Sequence, residues 1–124
     1  MLTIAQMTDS AEIRLLAGKA GVSPTDKLCC FAAKQKGELL GFCLYTVSEK
    51  ALILAVECGS DGPLFDGLIR AVFSCLSQKG TKQAEFGKAV DRELLRQYRF
   101  ITEENEAVPS MGDFLEQCKN CKNP

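Results

Sequence analysis

Histidine is absent from the 124-residue chain, so neither a Cys–His nor a Ser–His pair is available for nucleophilic catalysis. Net charge is nearly absent as well, with 15 basic residues against 16 acidic ones. No long-range field then draws the chain toward nucleic acid or an anionic lipid surface, and neither is expected as a partner. Long apolar runs are also missing, and none approaches the ~20 residues of a membrane-spanning helix. The N-terminus carries no basic stretch leading into an apolar core and a small-residue cleavage site, so no secretory leader is read there. Internal repeats and low-complexity segments are lacking too. The 46% hydrophobic and 25% charged content is that of an ordinary globular protein, and the length suits a single domain over 1–124 whose core needs no metal or disulfide staple.

Cysteine, by contrast, is plentiful: Cys29, Cys30, Cys43, Cys58, Cys75, Cys118 and Cys121. Cys30, Cys43, Cys58 and Cys75 fall inside apolar runs, where a thiol behaves as a small hydrophobe. An odd count without a leader points to a reduced, cytoplasmic protein rather than a disulfide scaffold. Cys118-Lys119-Asn120-Cys121 is one C-x-x-C knuckle, and Cys29-Cys30 is an adjacent pair. A structural zinc usually takes four ligands from two such knuckles. With one knuckle and no histidine, no metal is expected, and a redox role lacks the helix start that activates such pairs. The tail cysteines read as surface thiols.

Along the chain, Leu2–Gln6 forms a short apolar-leaning segment, and Thr8-Asp9-Ser10 offers N-caps for a helix over Ala11–Ala20 that stops at Gly21. Leu28–Lys34 and Leu39–Val47 read as strands joined by the glycine-containing turn Gln35-Lys36-Gly37-Glu38. Ala51–Val56 follows as a third strand of this group. The second and third are apolar on both faces, which predicts cover from both sides. Pro63 opens a helix whose Phe65, Leu68, Ile69, Val72, Phe73 and Leu76 recur at helical spacing until Gly80. Gln83–Phe86 reads as a strand, and Asp91 caps a helix over Arg92–Tyr98. Phe100–Thr102 and Ala107–Met111 suggest a last hairpin, its second arm confined to an edge by Pro109. Asp113 is a cap for a terminal helix through Gln117.

This order resembles the Gcn5-related N-acetyltransferase (GNAT) superfamily, as a small and degenerate member, over nearly the whole chain. Gly37-Glu38-Leu39-Leu40-Gly41-Phe42 is similar to the family's "G-x-x-v-G-f" strand entry. The unit from Ala51 to Gly80, followed by Gly80-Thr81-Lys82-Gln83-Ala84-Glu85-Phe86, is similar to its strand–loop–helix–strand. Leu94-Leu95-Arg96-Gln97-Tyr98-Arg99-Phe100 resembles its "l-Y-e-k-l-G-F". One of the two helices that the family places between its first two strands has no counterpart in this sequence. The resemblance implies an α/β (α+β) fold: a mixed, mostly antiparallel sheet flanked by helices.

The resemblance also implies acetyl-CoA as substrate, its diphosphate on N–H groups at a helix start, where unpaired donors and the helix dipole favour an anion. The corresponding stretch gives Val56, Cys58, Gly59, Ser60, Asp61, Gly62, Leu64, Phe65 and Gly67 as cofactor-binding candidates. The family's Q/R-x-x-G-x-G/A pattern is not matched: Gly62 and Gly67 are widely spaced, Pro63 removes a donor, and Asp61 and Asp66 add negative charge. The residues alone also fit an Asp-Gly-Pro turn that starts a helix. Leu95 stands where the family often has a tyrosine acid, and Tyr98, three residues on, is the substitute candidate; its other reading is a packed ring with a wet hydroxyl. Glu57 at the strand end is the candidate base, or else an exposed strand-end glutamate. Tyr45 is either a pocket or a core residue. Arg99 replaces the family's glycine, which implies a different backbone conformation there. Two expectations of different class stand side by side: acetyl transfer to a small-molecule or peptide amine, and a catalytically inactive GNAT-like module that senses a ligand or binds a protein. The family's habit of pairing a last edge strand makes a homodimer an expectation as well.

Overall fold

The computed structural model describes residues 2–121, with side chains through residue 117. The elements are β1 (Leu2–Met7), α1 (Ser10–Ala20), β2 (Cys29–Gln35), β3 (Glu38–Val47), β4 (Ala51–Glu57), α2 (Gly62–Gln78), β5 (Ala84–Phe86), α3 (Arg92–Gln97) and α4 (Met111–Cys121). The strands form one sheet in the order β1-β2-β3-β4-β5. The first three pairings are antiparallel and the last, β4 with β5, is parallel. Short turns join β2 to β3 and β3 to β4, whereas the parallel pair needs a crossover, which α2 supplies.

The two apolar faces of the central strands are both used. One face carries Phe31, Ala33, Cys43, Tyr45, Ala51 and Ile53 against the stripe of α2 and side chains of α3 and α4. The other carries Met7, Cys30, Ala32, Phe42, Leu44 and Ala55 against Ile13, Leu16 and Ala17 of α1. Single-residue alternation along each strand, broken by bulges at Ala33/Lys34 and Leu44/Tyr45, sorts the side chains between the faces. On the α2 face Phe73 meets Phe100 and Phe114 edge-on, each with centroids 5.7 Å apart, the geometry aromatic quadrupoles favour.

Three aspartates start helices by the same device. Asp9 accepts from the N–H groups of Ala11 and Glu12, Asp61 from Leu64, and Asp91 from Glu93 and Leu94, which satisfies donors that a helix start leaves open. Helix α2 begins one residue earlier than the Pro63 signal suggested, at Gly62. At its other end Gly80 has φ 96°, and Thr81 N–H closes on the Leu76 carbonyl at 3.0 Å.

Three expectations are corrected. The last hairpin does not form among the described residues; Val108 alone bridges β5, exchanging both hydrogen bonds with Ala84 at 2.8 and 2.9 Å. Pro109 has no N–H to extend that ladder, and Met111 N–H turns instead to the Lys82 carbonyl at 2.7 Å. Among the described residues the second arm of that hairpin therefore adds no strand beyond β5. The terminal helix is capped by Ser110, whose hydroxyl accepts from Asp113 N–H, and not by Asp113. The side chains of Cys118 and Cys121 lie outside the described residues. Arg99 also departs from its expectation: at φ 66° it adopts the left-handed conformation that glycine favours, so the replacement leaves a glycine-type helix stop in place.

Arg99→Gly then stabilises the fold by about 0.5–1 kcal/mol, since the left-handed region costs a non-glycine residue about that much or more; a denaturant melt that shows no gain contradicts the strain. Burial pushes the Cys30 thiol up to about 12 from its ordinary 9.0 and also raises Cys43 and Tyr45. Above about pH 9 the unfolded chain releases thiol protons that the fold retains, so the stability present below that pH is lost as pH rises. The slope is about 1.4 kcal/mol per pH unit for each such thiol. Cys43→Ala reduces it by one proton's share, and a flat stability profile between about pH 9 and 11 would show these thiols are not held neutral.

Candidate active site

Strands β4 and β5 pair only from Ala51↔Ala84 to Ile53↔Phe86, while β4 runs on to Glu57. Gly87 makes the last contact, donating its N–H to the Ile53 carbonyl at 2.7 Å. An added Cβ there would sit 3.3 Å from that carbonyl oxygen and 3.6 Å from Leu54 Cα, so a side chain would press on the backbone of β4, which would have to give by a few tenths of an ångström. Beyond Gly87 the chain is drawn off toward α3 by Arg92. Its guanidinium donates to the carbonyls of Phe86, Gly87 and Val90, each at 3.1 Å. These hydrogen bonds fix the end of β5 and part the two strands from Leu54 onward.

Past Glu57 the chain turns through Cys58–Asp61, where Asp61 N–H meets the Cys58 carbonyl at 3.2 Å and Gly59 has φ 62°. The turn delivers the backbone into the start of α2. Asp61 bends back to accept from Leu64 N–H at 3.0 Å. Asp66 is turned away and forms a two-pronged pair with Arg70 Nε at 2.8 and 2.9 Å. The N–H groups of Ser60 and Gly62 meet no acceptor among the described residues.

Tyr98 caps the C-terminus of α3 and lays its hydroxyl on Gly62, 2.6 Å from where a Cβ would stand. The structure thus brings Tyr98, Gly62 and the Cys58–Asp61 turn together. Cys58 is buried, and burial raises its pKa, helped by the carboxylates of Asp61, Glu57 and Asp91, so the mouth is acidic. Glu57 is exposed and pairs with Phe42. It shares the α1 face with Ala55, two residues earlier, because side chains alternate along a strand. Tyr98 packs on the α2 face, so the two flank the end of β4 from opposite sides. Glu57, Cys58 and Gly59 form one rim of a shallow depression of about 190 Å³, and Leu39, Leu40, Gly41 and Phe42 form the other.

Other candidates lie elsewhere. Leu64 and Phe65 are buried in the core, with Phe65 N–H already on the Asp61 carbonyl at 3.0 Å. Gly67 faces the sheet, where an added Cβ would lie 3.3 Å from Ile4 Cδ1, so it lets α2 close on β1 rather than facing the mouth. Val56 packs against the α2-side core. Tyr45 is a core residue, 1% exposed. Arg92 and Gly87 were missed. A cation in the first turn of a helix opposes the dipole, and that misplacement was the signal that Arg92 has another task.

The fold places the chain among known structures. It is similar to the ribosomal-protein-S18-alanine N-acetyltransferase of Escherichia coli at 13% identity and TM-score 0.59, over 86% of this chain and 88% of that one. It is similar to an IAA acetyltransferase from Bacillus cereus at 14% identity and TM-score 0.57, over 78% and 75%. It is also similar to N-acetylglutamate synthase from Neisseria gonorrhoeae, solved with coenzyme A and N-acetyl-glutamate, at 11% and TM-score 0.53, over 69% of this chain and 25% of that one. No protein-family model and no curated protein matches the sequence. The fold is that of the GNAT N-acetyltransferases, a mixed five-stranded sheet flanked by helices. No helix among the described residues is long and apolar enough to cross a membrane.

Gly41 tests how tightly this end of β4 is held. A Cβ there would stand 2.7 Å from the Glu57 carbonyl oxygen and 3.3 Å from Cys58 Cα, both backbone atoms. Gly41→Ala therefore costs about 1–3 kcal/mol in a denaturant melt, the range of overpacking in a close-packed site; a cost under about 0.5 kcal/mol would mean that the turn yields freely.

Proposed function

We propose that the chain is an N-acyltransferase that moves an acetyl group from acetyl-CoA to a primary amine. The observation that carries this reading is the parted end of β4, whose Leu54–Glu57 backbone runs on without a β5 partner. A pantetheine arm would take the place that β5 vacates. The open N–H groups of Ser60 and Gly62 at the start of α2 would receive the diphosphate. The engagement of Asp61 with Leu64 N–H and of Asp66 with Arg70 removes part of the repulsion, which for one carboxylate 4 Å from a phosphate charge is ~4 kcal/mol at an effective dielectric of 20.

In the reaction the amine nitrogen bonds to the thioester carbon as the carbon–sulfur bond breaks. Glu57 takes the proton that leaves the ammonium, and the departing thiolate takes one from water. The Tyr98 hydroxyl, which lies on Gly62, stands at the diphosphate end of the arm and would donate to a phosphate oxygen there. The substrate amine and the cytoplasm as the place of action belong to the same proposal.

A second reading, a GNAT-shaped module without catalysis, is favoured by one specific contact. The Tyr98 hydroxyl on Gly62 covers part of the α2 start, beside Pro63, which has no N–H to offer. A thermal-shift titration separates the two. Under the enzyme reading, acetyl-CoA at a hundredfold excess over Kd raises Tm by roughly 5–10 °C. Tyr98→Phe removes one donor to the diphosphate, so it lowers that shift and weakens acetyl-CoA binding by about tenfold. No shift at millimolar acetyl-CoA, with the fold intact, leaves the second reading.

A further inference from the structure

We propose that the α1 side of the sheet holds a second small-molecule site, one that binds a free α-amino acid with a short apolar side chain. A half-open cavity of about 420 Å³ lies between α1, β1, β2 and the β2–β3 turn, and it shares no lining residue with the depression beside Glu57. Ala5, Met7 and Ala32 give it an apolar strip beside the hydroxyls and amide of Thr3, Thr8 and Gln6, and Lys34, Lys36 and Glu12 add charge. The apolar strip and the charges of both signs set the class of ligand.

Lys34 Nζ and Glu12 Oε2 are 4.0 Å apart, well beyond the ~2.8 Å of a charge-assisted hydrogen bond. Each therefore keeps its hydrogen-bonding capacity for a third party. Asp9, the other acid on the wall, is already committed to the Ala11 and Glu12 N–H groups at 3.0 and 3.3 Å, so Glu12 is the acid left to receive an ammonium. Lys36 makes no ion pair among the described residues. It stands at φ 53° before Gly37 at φ 80°, a two-residue hairpin whose first position favours Asn, Asp or Gly. Turn chemistry does not account for a lysine there, and its side chain lines the cavity.

The spacing selects among zwitterions. An ammonium and a carboxylate on one carbon match cationic and anionic groups as near each other as Lys34 and Glu12. Long ω-amino acids, whose charges lie many bonds apart, do not. The carboxylate goes to Lys34 and Lys36, the ammonium to Glu12, and the side chain to the apolar surface of Ala5, Met7 and Ala32. This site is independent of the acyl-transfer reading.

The test is a calorimetric titration of the whole chain with L-valine, 3-methylbutanoate and isobutylamine, repeated by NMR on ¹³C-methyl alanine-labelled protein. Valine is expected to saturate and to shift the Ala5 and Ala32 methyl signals. Each single-charge analogue binds at least about tenfold more weakly, the worth of one charge-assisted hydrogen bond. Glu12→Gln weakens valine by a similar factor and leaves 3-methylbutanoate unchanged. Lys34→Met, with an unchanged melting temperature, weakens both. Any of three results overturns the proposal: no shift at Ala5 and Ala32 with valine, equal affinity for valine and 3-methylbutanoate, or valine binding that Glu12→Gln does not alter.

Discussion

The short parallel pairing of β4 with β5 is the constraint on which the rest of this molecule depends. Three residue pairs hold the strands together; then Gly87 closes on Ile53 and Arg92 gathers three carbonyls at the end of β5. A buried carbonyl without a donor is costly, so the guanidinium fork makes an abrupt strand end tolerable. Had β5 continued, the edge of Leu54–Glu57 would be consumed by the sheet. Because it stops, the chain keeps an open strand end beside a helix start, with a tyrosine reaching in from α3.

The same neighbourhood carries the tension in the design. An open strand edge and free N–H groups favour an anionic, extended ligand, while Glu57, Asp61 and Asp91 gather around Cys58 and favour a cation. An acyl transfer needs both, since a thioester donor carries phosphates and an amine acceptor arrives protonated. Helix capping resolves part of the conflict by turning Asp61 back on Leu64. Glu57 lies on the far face, with the depression beside Leu40 and Phe42.

Much of the architecture was legible because it rests on periodicity and capping. The α2 stripe, the aspartate at the start of α3 and the two-faced apolar strands follow from local chemistry that the fold did not override. The last hairpin was not legible, since a single bridge at Val108 has no pattern of its own and Pro109 cuts it short. The site was legible only in outline. Glu57 and Tyr98 came from resemblance rather than from spacing, and Phe65 and Gly67 were drawn in by a motif whose register this loop does not keep. Gly87 acts through the carbonyl of Ile53, far away in the sequence, which no linear pattern encodes. Arg92 holds carbonyls close by in the chain and showed itself only as a cation misplaced in a first helical turn. Arg99 shows the opposite case, a broken motif whose backbone conformation survives.

The central claim is that the edge of β4 beyond Ile53 receives an extended thioester arm. Amide NMR of the labelled chain titrated with coenzyme A tests it most directly. The account predicts saturable shifts confined to Leu54–Glu57 and to Ser60 and Gly62. Shifts that cluster elsewhere, or none at millimolar coenzyme, would contradict it and leave the fold without its chemistry.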